Sequence, residues 1–461
     1  MDSNLKPYEE YKETEYDWLG SVPSHWKEQT VRSITKLSSV RNGNRDDLEL
    51  LSVYREYGVI RKSSRDDNHN VESLDLSNYK FVDVGYLVLN KMKMWQGSLG
   101  ISKYKGIVSP AYIVCKLIGD LNHDYIHYLM RSAKFKTIYN RISYGVRVGQ
   151  WDMRYDDFKS ISLYLPPIEE QNQIVKYLNS KLTKINKFIQ VKKKLITVLK
   201  EQKQAVINES VTQGIDSENK MKSSGIKWLG EIPQHWECKR VKTLLKNNTN
   251  TVSEKLPNEI YLGMENVESW TGRIINLDES MTFESQVKQF NQNSILFGKL
   301  RPYLAKVAAP KREGVCSTEF LVLELIDKEQ NSIDYLNCLL RSKAIIEVIT
   351  SSTYGAKMPR ADWGFIGNLK VPIPPSFQEQ QRILRYIAKN TSQQDKRIEV
   401  YEREIDLIIE YRTRLISDVV TGKVDVRTIK VDDFEVEELK EDIDEDAMGL
   451  EEVLESEECE V

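Results

Sequence analysis

From residue 169 to 212 the chain has no glycine or proline, and Ile174, Leu178, Leu182, Ile185, Ile189, Ile196, Leu199 and Val206 recur at intervals of 3, 4 or 7. That spacing predicts one long helix with a coiled-coil-like apolar seam. A second run places Ile383, Ile387, Ile398, Ile405, Ile408, Leu415 and Val419 in a similar register, with Thr391 and Gln394 where the first run has Leu182 and Ile185. Each seam needs a partner, and the nearest candidate is the other helix. A twofold relation between the halves would make the two helices antiparallel. Elsewhere KGIVSPAYIVCKL (105–117) and EGVCSTEFLVLEL (313–325) each read as a turn followed by a half-buried strand. DYIHYLMRS (124–132) and DYLNCLLRS (334–342) follow at helical spacing.

These pairs belong to a duplication. WLGSVPSHW (18–26) returns as WLGEIPQHW (228–236), LPPIEEQNQIVKYL (165–178) as IPPSFQEQQRILRYI (373–387) with one residue inserted, and VTQGID (211–216) as VTGKVD (420–425). The predicted fold class is α+β, with two pseudo-twofold-related α/β domains separated by two long antiparallel helices. The expected boundaries are 1–165 for the first domain, 166–213 for its helix and 214–227 for a polar linker. The second domain is expected over 228–375, its helix over 376–421, and an acidic, disordered tail over 422–461.

Charge sharpens this picture. The net value of −3 conceals residues 432–461, which hold 16 Asp/Glu against one Lys. Residues 1–431 therefore carry 65 Lys/Arg against 53 Asp/Glu, a balance of +12 that suits contact with a polyanion. No apolar run approaches the ~20 residues of a membrane span and no signal peptide is seen, so a cytoplasmic chain without membrane contact is expected. The cysteines, Cys115, Cys238, Cys316, Cys338 and Cys459, are scattered and predict free thiols.

Catalysis finds little support. Leu165-Pro166-Pro167-Ile168 and Ile373-Pro374-Pro375-Ser376 lack the polar and aromatic residues of an amino-methyltransferase motif. Gly422-Lys423 is followed by Val424 rather than Ser or Thr, so no phosphate-cradling loop forms. Glu237-Cys238-Lys239 has no upstream Pro-Asp partner. His123 and His127 have Ile333 and Asn337 as counterparts and are assigned to a surface helix rather than a metal site, while His25 and His235 recur and are assigned a structural role. No catalytic or metal-binding residue is expected.

Binding remains. KMKMWQG (91–97) diverges from KLRPYLA (299–305), and SYGVRVGQWDMR (143–154) from TYGAKMPRADW (353–363). Arg and Lys meet phosphates or guanine, amides suit adenine, and aromatics meet a thymine methyl. The candidate DNA contacts are therefore Lys91, Lys93, Gln96, Tyr144 and Arg147 in the first half. In the second they are Lys299, Arg301, Tyr303, Tyr354, Lys357 and Arg360. A helical scaffold that binds only protein is the alternative from another class.

The ordered double set of WLGxxPxHW, Pro-Pro with Glu-Gln (Pro166, Pro167, Glu170, Gln171; Pro374, Pro375, Glu379, Gln380) and the helix-end VTxG or VTG resembles the specificity subunit of a Type I restriction-modification enzyme over roughly residues 15–427. The resemblance implies that each α/β domain is a target-recognition domain for one half of a split site in double-stranded DNA, with the helices as spacer. It implies docking to two modification (methyltransferase) subunits and to restriction subunits that translocate and cleave. It places S-adenosylmethionine, ATP and Mg²⁺ on those partners and no cofactor on this chain.

Overall fold

The computed structural model describes residues 5–43, 45–55, 57–64, 75–145, 151–216, 218–253, 259–277, 286–353 and 358–431. Arg147, Tyr354, Lys357 and the acidic segment 432–461 lie outside the described residues. The described chain forms two units, one from residues 5–191 with 403–431, the other from Lys192–Glu402.

In the first unit an antiparallel sheet runs Thr35–Leu37, Tyr112–Leu117, Leu87–Asn90, Leu99–Ile101. The second unit repeats that order with Leu245–Asn248, Phe320–Leu325, Ser294–Gly298 and Val307–Ala308. Register repeats too: Tyr112 faces Asn90 where Phe320 faces Gly298, and Val108 faces Lys80 where Cys316 faces Lys288. The alternation read from the sequence thus forms the central strand of each sheet, with Val114, Cys115, Val322 and Leu323 fully buried. A two-stranded pair closes each unit, Lys27–Thr30 with Ser162–Leu165 and Glu237–Arg240 with Lys370–Ile373.

The long helices are Ile168–Gln213 and Phe377–Val420. Both end where a glycine takes left-handed backbone, Gly214 (φ 82°) and Gly422 (φ 76°), a conformation that stops a helix at little cost only for glycine. A Cβ on Gly422 would sit 2.4 Å from Pro23 and 3.1 Å from Trp26; one on Gly214 would sit 3.3 Å from Pro233 and 3.5 Å from Trp236. Helix-end and WLG motifs therefore recur together because they touch. Within each unit the helices run antiparallel, since partner numbers fall as numbers rise. In the first unit Gln173, near the start of the first helix, donates to Ile429, just past the end of the second, and Arg412 donates to Asn186; in the second Lys200 pairs with Glu402 and Lys203 with Asp395. Ile174, Leu178, Ile185, Ile189, Ile383, Ile387, Ile398 and Ile405 are buried as predicted, and Thr391 is buried in the same seam.

Three expectations change. The linker 214–227 contains the strand Met221–Ser223, which pairs with Glu231–Pro233 and so belongs to the second unit. The tail cannot begin at 422, because Val426 is fully buried and Asp425 bridges Lys6. His127 is half-buried rather than fully on the surface: its Nδ1 accepts the Ile101 N–H at 3.2 Å, and burial, then Arg131 and Lys103, holds its pKa well below the usual histidine value. Among the described residues no helix is long and apolar enough to cross a membrane.

Candidate nucleic-acid interface

The frame comes first. Glu170, at the foot of the first long helix, accepts hydrogen bonds from Tyr8 Oη (2.7 Å) and Trp26 Nε1 (3.0 Å), and its other oxygen meets His25 Nε2 at 2.7 Å. Glu379 repeats this with Trp236 Nε1 (2.8 Å) and His235 Nε2 (3.0 Å). Burial, then the bond to Glu170, pushes the Tyr8 hydroxyl well above the ordinary tyrosine range, so it remains a donor. The neighbouring amides tie helix to domain: Gln171 accepts the Asn122 N–H (3.0 Å) and Gln380 that of Ser332 (2.7 Å), each bond made just where a shorter helix begins. His25 and His235 are thus structural, as expected from their recurrence. Removing Glu170 strands two buried donors, at about 1–3 kcal/mol each. We expect Glu170→Ala to lower stability to denaturant by more than Glu379→Ala, which strands one ring N–H less deeply clamped. Equal losses in matched unfolding curves would show that the Tyr8 bond adds nothing to the clamp.

On this frame the two divergent loops of each half meet through the same backbone tie. Met153 N–H donates to the Lys91 carbonyl at 3.1 Å, and Ala361 N–H to the Lys299 carbonyl at 2.9 Å. Around that tie the side chains differ. In the first unit Lys91 Nζ lies 2.6 Å from Asp152 Oδ2, Trp95 and Trp151 have ring centroids 5.1 Å apart, and Arg154 sits 5.9 Å over the Tyr144 ring. Tyr144 is held by paired backbone bonds to Asp152 and is 57% exposed. Lys93 is exposed and Gln96 half-buried. In the second unit Arg360, at the position of Asp152, pairs with Glu319 at 3.0 Å, and Arg301 N–H donates to the Pro359 carbonyl at 2.9 Å. Arg301 (φ 50°) and Ala305 (φ 48°) hold left-handed backbone, a strain of about 1–3 kcal/mol each that clusters at functional sites. The turn leaves Arg301 and Tyr303 exposed.

The structure therefore brings Lys91, Lys93, Gln96 and Tyr144 together in one unit and Lys299, Arg301, Tyr303 and Arg360 in the other. The sequence reading missed Asp152 and Glu319, because a carboxylate in a basic loop carries no signal until its cation is located. An acid facing a base in one unit and a base facing an acid in the other gives two surfaces with different donor and acceptor patterns. Such surfaces suit two different sets of base edges.

The comparisons with known proteins agree with this duplicated layout. The family model described as "Type I restriction modification DNA specificity domain" matches twice, over residues 23–204 and 220–401. The chain is 23% identical over 321 residues to the Type I restriction enzyme EcoDI specificity subunit of Escherichia coli, covering 63% of this chain and 68% of that one. It is 24% identical over 355 residues to the Type I restriction enzyme MjaVIII specificity subunit of Methanocaldococcus jannaschii, covering 73% and 79%. Its fold resembles that of a solved chain described under assembly and conformational transition of the type I R-M system, with a TM-score of 0.58 at 12% identity, covering 87% of this chain and 99% of that one.

Proposed function

Because the chain belongs to the Type I restriction-modification DNA specificity family, we propose that it recognises a bipartite, asymmetric duplex sequence, one half-site per unit, and performs no catalysis itself. The observation that carries this reading is the shared backbone tie with opposite charge at one equivalent position, Asp152 (beside Lys91) in one unit and Arg360 (beside Glu319) in the other. A repeated frame with divergent loops is what two readers of different short sequences require. Two modification subunits dock against the long helices, which expose apolar side chains outside their mutual seam: Leu195 (40%), Val198 (46%) and Val400 (53%) in the second unit. Restriction subunits join that complex, and S-adenosylmethionine, ATP and Mg²⁺ reside on the partners.

The test is methylome mapping in a host expressing this chain with its modification subunits. Two short half-sites separated by a fixed gap are expected. Arg301→Ala should relax one position of one half-site, at a cost of about 1–3 kcal/mol if the guanidinium reads a base. Lys93→Ala should weaken binding to all sequences alike. A complex with no salt-dependent DNA affinity would leave only the protein-binding scaffold.

A further inference from the structure

Lys80 and Lys288 occupy the same place in the two units and were not singled out by the flanking sequence, which differs. Each lies in a strand at the register position facing Val108 or Cys316, and each is half-buried. Lys80 Nζ donates to the Tyr112 carbonyl, and Lys288 Nζ to the Phe320 carbonyl at 2.9 Å, so even the acceptor is equivalent. Eleven residues further on stand Lys91 and Lys299, the residues of the loop tie. The carbonyl takes one of the three donors of each ammonium.

We propose that Lys80 and Lys288 are equivalent anchors for a DNA phosphodiester, one beside each base-reading surface. The proposal rests on the DNA-reading function above. A carbonyl needs only a neutral donor, yet both positions carry a cation placed near further cations. Burial first, then Arg41 and Lys91 against an opposing Cys115, holds Lys80 below the ordinary lysine value; burial, then Lys299, does the same to Lys288 against the opposing Cys316 and Glu319. Glu319, the carboxylate that acts on Lys288, is already paired with Arg360, and a phosphate oxygen would add counter-charge at both lysines. Location agrees, because Phe320 follows Glu319, which accepts the Lys299 N–H at 2.8 Å and pairs with Arg360. So does the pattern of recurrence. Positions around the tie differ between the units, Asp152 against Arg360 and Ala111 against Glu319, as sequence readers should. The phosphate backbone is the same under every sequence, so its contacts can recur unchanged.

The complex with modification subunits, carrying Lys80→Gln, Lys288→Gln or both, is titrated against site-bearing and scrambled duplexes over a range of salt. Glutamine keeps an N–H for the carbonyl and removes the charge. Each single change is expected to reduce the slope of log K against log salt by about 0.9, the value for one lost phosphate contact. Site and scrambled duplexes should weaken by the same factor, the double variant should lose twice the slope, and the methylated sequence should stay the same. Lys80→Arg and Lys288→Arg should restore the slope. An unchanged slope in the glutamine variants overturns the proposal, as does an altered base in the methylated sequence or failure of arginine to rescue. A wild-type complex with no salt-dependent DNA affinity overturns the functional reading itself, and this proposal with it.

Discussion

Exchange of residues 31–160 for the corresponding segment of a relative is expected to replace one half-site of the methylated sequence while the other half-site and the gap stay as they were. The cut points fall at the ends of the paired strands Lys27–Thr30 and Ser162–Leu165, so Thr30 still faces Ser162 and the ladder below is untouched. Tyr8, His25, Trp26 and Glu170 all lie outside the exchanged segment, so the clamp that joins domain to helix survives. Every residue proposed to read sequence in the first unit, from Lys91 to Arg154, lies inside it. The effect should be very large, since each mismatched base pair costs about 1–3 kcal/mol and a half-site holds several. Methylome mapping of the hybrid decides the matter. If both half-sites changed together, the units would not be separate readers.

A comparably large effect is expected from lengthening the helices. Each passes from one unit into the other, near residue 191 in the first and 402 in the second. Four residues added at both places lengthen each helix by ~6 Å and turn the seam by only ~40°, so Ile185, Ile189, Ile196 and Ile405 can still pack. A gap longer by at most about two base pairs is expected, with methylation retained. Two residues added instead turn the seam by ~200°, directing its apolar side chains to water, and assembly should be lost. Methylation mapping and size-exclusion chromatography of both variants test this. An unlengthened gap in an active four-residue variant would show that the helices hold partners without measuring DNA.

The helices and the central strands were legible in the sequence because burial imposes a period, and a period survives without knowledge of contacts. Ile174, Leu178, Ile383 and Ile387 illustrate it: a fully or nearly buried residue every fourth position leaves few other readings. The recurring motifs were legible as words, but their reason was not. That Glu170 receives Trp26 and that Gly422 lies against Pro23 are contacts between distant positions with no local signature. Boundaries failed where a short strand looks like a polar linker, as at Met221–Ser223, and where a short stretch past a helix end is held by a buried Val426 together with backbone contacts to Lys6 and Gln173. Loop composition drew attention to Lys91 and Arg301, in loops that the backbone ties join, but gave no sign that Lys80 and Lys288 hold equivalent positions. Their meaning lies in matching register across the two units, and lysine in a strand is otherwise an ordinary solvent-facing residue.

The order of synthesis sets a sequence of events at the ribosome. The second unit is one continuous stretch, Lys192–Glu402, and can close as soon as it emerges. The first unit begins earlier yet needs Val420 for the Tyr125 hydroxyl, Gly422 against Pro23 and Asp425 beside Lys6. At about 5–20 residues per second, the chain from residue 191 to 430 takes roughly 12–48 s to appear. Throughout that interval the N-terminal half is held open, with its domain formed but its last edge uncovered. The unit begun first is therefore finished last, and a translation stop between residues 402 and 420 should yield a chain with one closed unit and one that never closes.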